Sequence, residues 1–295
     1  MRGTYDRLVS DIRLTYQDYQ QQLFGETKPT LETILTATGG SDNTKFYVSA
    51  DDKQEKGIAR NTAARRQSLR FNLDQSLGNK LTTQLSGTII RSFSQRGVSN
   101  NDNALSSPLY AFAYTPAIFP LAEKDADGKH MDNPAVGGNI SNPFDTFERL
   151  VNNEDVYRQI ASGRLNYSLL ATGRNDVQLS FAGGADRFSN EGYDFGPPDL
   201  QFLRFGTPQG GLYPGIAIQG NGTALLTNGS LNAVWTFTPG SRWMSATTSA
   251  GLQAENSQTN DYRITGKGTI PSQTNAAGAA NTTVNQSRTI VRGRA

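Results

Sequence analysis

The 295-residue chain contains no cysteine and a single histidine, His130. The first absence removes disulfides, thiolate metal sites and thiol nucleophiles together. The second leaves no partner set for a histidine triad or a His-ligated metal. His130 therefore reads as an incidental loop residue, no metal site or cofactor is expected, and the chain is not read as an enzyme. Net charge is scarce too, since 28 basic residues stand against 26 acidic ones. That leaves no clustered basic face for nucleic acid. Long apolar runs are also missing: the mean hydropathy is -0.53, and no stretch is long and apolar enough for a transmembrane helix. The segment from Met1 to Phe24 has no apolar centre of the kind a secretory signal needs. A β-barrel is untouched by these exclusions, because its strands alternate and look only mildly hydrophobic.

What the chain does have is period-two alternation. Leu69, Phe71 and Leu73 point one way, with Ser68, Arg70, Asn72 and Asp74 the other, because successive strand side chains face opposite sides. The pattern recurs at Leu81, Leu85 and Ile89, at Leu165, Tyr167 and Leu169, at Val177, Leu179 and Phe181, and at Leu231, Ala233, Trp235 and Phe237. Nine strands are expected, near 30–39, 45–52, 67–76, 80–93, 157–171, 175–188, 229–238, 242–256 and 285–294. Turn residues separate them at Gly39 to Asn43, Leu77 to Asn79, Thr172 to Asn175 and Thr238 to Ser241. The other connections read as long polar loops over 53–66, 94–156, 189–228 and 257–284. Short turns on one side and long loops on the other are the layout of an outer-membrane barrel.

The fold class expected is therefore all-β: an antiparallel transmembrane β-barrel of meander topology, present in part as about nine strands of a larger barrel. Residues 1–29 form a loop or short helix entering it, since Leu8, Ile12, Tyr16, Tyr19 and Leu23 recur at helical spacing. Residues 30–295 form the partial barrel, with 94–156, 189–228 and 257–284 as its long extracellular loops. Arg70, Asn72, Asp74, Arg164 and Asn166 are expected to line the lumen, because an Arg or Lys at mid-bilayer on the lipid face costs roughly 2–4 kcal/mol. Trp235 and Trp243 flank one turn and suit an interfacial aromatic girdle. Asp125, Asp127, Gly128 and Asp132 echo a calcium loop, but Val136 stands where the closing glutamate belongs, so a solvated turn is expected. Tyr110, Phe112, Tyr114 and Phe119 suit stacking on sugar rings or plugging the lumen, although aromatics in long loops more often hold the loop together.

Several segments resemble one family in order and spacing. These are Gly39-Gly40, then Thr44-Lys45-Phe46-Tyr47-Val48-Ser49, then Gln54-Glu55-Lys56-Gly57-Ile58 with Asn61, then Arg66 to Asp74 with Arg66, Arg70, Asn72 and Asp74 in alternation. Asn142-Pro143 ahead of Arg164-Leu165-Asn166-Tyr167 adds a weaker match. The pattern is similar to that of the SusC/RagA-type TonB-dependent outer-membrane transporters. The resemblance implies a piece of an outer-membrane importer for active uptake of oligosaccharides or peptides. It also implies a SusD-like surface lipoprotein as partner, outer-membrane lipid around the barrel, and energy from the TonB complex through a plug absent from these residues. The final Arg294-Ala295 falls in mid-strand, so a fragment from the first half of such a barrel is expected. The rival expectation is a secreted or surface β-sandwich or β-solenoid acting as an adhesin or binding module, since sandwich strands alternate as well.

Overall fold

In a computed structural model, residues 16–98, 106–135, 140–207, 209–240, 243–270 and 273–294 are described. Nine strands form one sheet in sequence order: β1 (Leu31–Gly40), β2 (Thr44–Lys56), β3 (Ala63–Leu77), β4 (Leu81–Gln95), β5 (Val151–Ala171), β6 (Asn175–Gly196), β7 (Ile216–Phe237), β8 (Ala246–Lys267) and β9 (Asn281–Arg294). Every neighbouring pair is antiparallel. One meander sheet rules out both rival architectures, since a sandwich needs two packed sheets and a solenoid stacks repeats.

The register carries the alternation across strands. Leu69 pairs with Ala50 and Ile89, and Phe71 with Val48 and Gly87. Leu165 pairs with Thr83 and Phe181, and Phe181 in turn with Leu231. Opposed residues share a face, so these side chains build one continuous apolar face. It is bare: Phe71 is 48% exposed, Phe181 51% and Leu252 68%. A β-bulge between Ser168 and Leu170 inserts an extra residue into β5. It places the adjacent Leu169 and Leu170 together on this face, where strict alternation would turn one of them away. Aromatic rings fill the spaces above glycines: Gly39 lies opposite Phe46 and Gly87 opposite Phe71. A side chain at either glycine would meet the facing ring, at 2.8 Å for Gly39 and 2.2 Å for Gly87.

The apolar residues occupy only part of each long strand. On β6 the apolar face reads Val177, Leu179, Phe181, Gly183 and Ala185, then turns polar at Arg187, Ser189 and Glu191. A 22-residue strand is roughly 70 Å long at about 3.3 Å per residue, whereas a barrel's lipid band is about 25 Å tall. The strands therefore stand well clear of such a band. The sheet is also staggered. The register line through Lys45 near the foot of β2 runs through Asp74, Gln84, Arg164 and Ala182 to Ser230, seven residues above the foot of β7 at Phe237. Stagger of this sense accompanies the tilt of barrel strands.

The long connections are shorter than the sequence suggests. The 53–66 and 189–228 segments narrow to 57–62 and 197–215, 94–156 becomes 96–150, and 257–284 becomes 268–280. Strands β5 to β8 continue beyond the apolar band with polar residues on both faces, Asp155, Ser189, Thr223 and Asn260 on the outward one and Glu154, Asn190 and Asp261 on the other. There hydropathy loses its period while the hydrogen-bond ladder persists. The packed core lies in these connections rather than under the sheet. Its largest cluster joins Tyr19, Leu23, Ala59, Leu121, Phe144 and Phe147. They come from helix α1 (Tyr19–Phe24), the β2–β3 turn and the β4–β5 connection, which holds α2 (Pro108–Tyr114) and α3 (Pro143–Arg149). The helical spacing at the N-terminus thus yields α1, with Tyr19 and Leu23 buried and Tyr16 exposed. Leu8 and Ile12 lie outside the described residues.

Candidate functional site: the polar face and its mouth

The face opposite the apolar one carries the polar side chains. On β3 these are Arg66, Ser68, Arg70, Asn72, Asp74 and Ser76. A hollow of about 560 Å³ crosses this face from β3 to β8, and its lining includes Asn72, Asp74, Gln84, Ser86, Arg164 and Gln253. Asp74, Gln84 and Arg164 lie on one register line. At about 4.8 Å per strand, the carboxylate and the guanidinium spring from backbones about 10 Å apart. Among the described residues neither has an ion-pair partner. The hollow thus offers one acceptor and one donor charge among neutral hydroxyls and amides. Water bathes such a surface, and its groups can exchange hydrogen bonds with a hydrated ligand at little desolvation cost.

All five residues singled out from the sequence share this face. Asn72, Asp74 and Arg164 line the hollow. Arg70 sits between Ser49 and Thr88 on the same face. Asn166 accepts a hydrogen bond from the Ser180 hydroxyl at 2.9 Å and donates to the Thr82 hydroxyl at 3.4 Å. Sequence reasoning passed over the polar partners Gln84, Ser86, Ser162 and Ser230. Gln84 and Ser86 do alternate with Leu85 and Ile89 in the sequence, but uncharged side chains do not stand out as site residues until the register sets them beside Asp74 and Arg164.

The long-loop end of the sheet holds a second assembly that the sequence scarcely announces. Asn142 is fully buried at the N-cap of α3, where its side-chain oxygen accepts from the Phe144 amide at 2.9 Å. Its side-chain nitrogen donates to the carbonyls of Leu121 and Met131, each at 2.8 Å. The Gln201 side-chain oxygen accepts from the backbone amides of Asn133 and Asn142, and its nitrogen donates to the Asn133 carbonyl. These amides tie the β4–β5 connection to the β6–β7 connection, with Arg149–Asp199 and Arg204–Asp132 pairs outside them. At Gly196 a side chain would strike Leu203, so the β6–β7 connection folds back over the polar face there. Pro143 suits the first helical turn of α3, which gives the Asn142-Pro143 pair a physical reason.

The β2–β3 turn locks onto the same assembly. Asn61 takes a left-handed conformation with φ 58°. Its side chain donates to the Phe147 carbonyl at 3.0 Å and accepts from Gln95 at 2.7 Å. The backbone of Ile58 and Arg60 bonds Glu26 and Leu23 around α1. A hollow of about 400 Å³ opens there, lined in part by Lys56, Arg60, Asn61, Gln95, Phe144 and Glu148. The Arg60 guanidinium lies 5.9 Å over the Phe144 ring.

His130 belongs to this mouth assembly and is buried, not incidental. Its two ring nitrogens meet the Glu123 carbonyl at 3.1 Å and the Glu148 carboxylate at 3.0 Å. A Lys124 hydrogen bond, aided by His130, holds the Glu148 carboxyl below its ordinary pKa against the opposing effect of partial burial. Burial pushes the neighbouring Asp145 carboxyl upward, and Arg149 offsets only part of that. Asp125 spends one side-chain oxygen on the amides of Asp127 and Lys129, the solvated turn expected of it. Phe112 stacks on Tyr19 at 5.3 Å, so this aromatic holds its loop together. Trp235 stands on the apolar face near the foot of β7, and Trp243 is exposed just beyond the turn.

No family model matches the chain, and no curated protein does. Solved structures do. One is a structure of the RagAB peptide transporter, with TM-score 0.66, 14% identity and 94% of this chain covered. Two more show the RagAB peptide importer, in its closed-closed state (TM-score 0.66, 14% identity, 99% covered) and its open-open state (0.67, 15%, 99%). The chain spans about a third of the length of these solved chains, 30–33%. At this identity the likeness concerns the fold, and the sheet follows the course of a segment of theirs. Among the described residues no helix is long and apolar enough to cross a membrane.

Proposed function

We propose that these residues form part of the barrel wall and capped mouth of a SusC-like, TonB-dependent outer-membrane importer. The observation that carries the reading is the two-sided sheet. Its apolar face is bare over a limited band and its polar face is hollowed, while the packed core sits in the connections at one end. In a bilayer that arrangement puts the apolar band against lipid and Arg70, Asn72, Asp74, Arg164 and Asn166 in the lumen, where charges stay hydrated. The likeness to peptide importers favours peptides over oligosaccharides as cargo, and the Asp74 and Arg164 charges suit a zwitterionic ligand. The mouth assembly would face a SusD-like lipoprotein, and TonB would act through a plug that these residues do not include.

Because the chain lacks cysteine, single cysteines report each face cleanly. In the chain folded into lipid nanodiscs, Leu165→Cys should react with a lipid-soluble maleimide and Arg164→Cys with a water-soluble one. Equal labelling of both by the water-soluble reagent would remove the membrane reading. In cells carrying the whole importer, Asp74→Lys should lower uptake of labelled peptides several-fold while leaving its surface abundance unchanged.

A further inference from the structure

The polar face is interrupted by apolar side chains. Ile34-Leu35, Ile89-Ile90, Leu225-Leu226 and Ile290-Val291 are adjacent apolar pairs within strands. No bulge absorbs them, so one member of each pair lies on the polar face. The register gathers these inward members. Ile160, Leu226 and Val291 lie on the line that runs through Arg70 and Asp186. Ile34, Ile90 and Phe188 lie on the next line toward the mouth. Together they form an apolar belt across the inward face, bare enough that Leu226 is 37% exposed and Val291 60%. On β6 the belt residue Phe188 stands past Ala185, where the outward apolar band ends, so it lies toward the mouth rather than at the level of that band.

Polar hollows flank the belt on both sides. Toward the short turns lies the one that holds Asp74 and Arg164. Toward the mouth a further hollow of about 380 Å³ opens over Gly192, Gly220 and Gly222, and its lining includes Asp261 and Arg263. Each hollow thus holds one carboxylate and one guanidinium, and none of the four has an ion-pair partner among the described residues. The Arg158 and Asp186 charges within the belt pair with each other. Val156 shares the register line of Asp261 and lies about eight residues along β5 from Arg164, which at roughly 3.3 Å per residue is ~26 Å. An extended peptide covers that length with the same number of residues. Its α-ammonium suits Asp74 or Asp261, and its α-carboxylate suits Arg164 or Arg263. Apolar side chains at its centre would cover a belt otherwise left against water. A folded domain packed flat on the belt would desolvate the Arg158–Asp186 pair as well, a cost that a narrow extended chain avoids.

We propose that the belt and its two flanking hollows form one cargo subsite, which selects an extended peptide of about eight residues or more with free ends and an apolar centre. The assignment rests on the importer reading and deepens it by naming the kind of peptide. In cells carrying the whole importer, unlabelled peptides compete for uptake of a labelled one of about ten residues, with free ends and a leucine centre. The competitors are the same peptide, its counterpart with a serine centre, its form with acetylated and amidated ends, and a version half as long. The first should compete about ten-fold better than each of the others. F188S/L226S should erase the preference for leucine over serine and keep that for free ends, whereas D261N/R263Q should weaken the preference for free ends and keep that for leucine. Val291→Ser alone should lower the leucine preference about three-fold, and it serves as the test where the F188S/L226S pair does not reach the surface. Equal competition by leucine and serine centres, or an unchanged preference in F188S/L226S, would overturn the proposal. So would a uniform loss with every peptide in that pair at unchanged surface abundance, since it marks a domain rather than a cargo on the belt. Labelling of Leu165→Cys and Arg164→Cys separates the two failures. With each face labelled as the importer reading requires, flat competition sinks this inference alone, while Leu165→Cys open to the water-soluble reagent sinks the barrel reading with it.

Discussion

Asn142 satisfies three backbone groups at once, one amide at the start of α3 and two carbonyls of the preceding loop. Asn142→Ala leaves all three buried without a partner, and a group so orphaned costs about 1–3 kcal/mol. The expected loss is about 2–4 kcal/mol of local stability, read as faster hydrogen exchange at the Phe144 amide and faster cleavage within 106–150. Asn142→Asp should fail to rescue it, since a carboxylate keeps the cap but faces two carbonyls. The pH response of the same region follows from two neighbours shifted in opposite directions. Asp145 has a raised pKa in the folded protein, so its protonation on folding adds stability below that value, and the gain is lost as pH rises through it. Glu148 has a lowered one, so its contribution is present above the ordinary carboxylate value and is lost as pH falls through the lowered value. Protection of the mouth should therefore pass through a maximum in mildly acidic solution. Asp145→Asn should remove the rise and Lys124→Gln should move the fall to higher pH. A flat profile in the wild-type chain would contradict both assignments.

At the scale of the strand, one residue decides which solvent a side chain meets. Phe71 and Asn72 are adjacent on β3 and sit on opposite faces. Phe71→Arg should lower the stability of folding into lipid vesicles by roughly 2–4 kcal/mol, measured by denaturant titration. Asn72→Arg should change it by less than about 0.5 kcal/mol, as a hydrated surface substitution does. Similar losses from both would mean that neither face meets lipid. The strands themselves were legible wherever alternation had contrast, as at Leu69 to Asp74. They were illegible from 151 to 156 and from 216 to 228, where apolar residues such as Val151, Val156 and the adjacent Leu225 and Leu226 keep no period of two and only the backbone ladder marks the strand. The Leu169-Leu170 pair broke the period, and only the pairing with Val177 shows that a bulge absorbs it.

For the whole molecule, the bare face decides behaviour in water. Its exposed Leu, Phe and Trp side chains form a contiguous apolar area, while soluble monomers tolerate only a few hundred Å². The edges of β1 and β9 are unpaired within the sheet and invite further strands. The isolated chain should aggregate without detergent and stay dispersed with it. Gel filtration as a monomeric peak in plain buffer, with a cooperative melt, would refute the membrane reading.

The sequence by itself determined the alternation, the count of nine strands and the sorting of Arg70, Asn72, Asp74, Arg164 and Asn166 onto one face, because side-chain direction in a strand is a local property with a period of two. Only the tertiary structure decided how far β5 to β8 extend, that His130 is buried against Glu148, and that Asn142 and Gln201 bind two distant connections together. Those outcomes depend on hydrogen bonds between residues as far apart as Asn133 and Gln201. No local pattern of hydrophobicity records a partner 68 positions away.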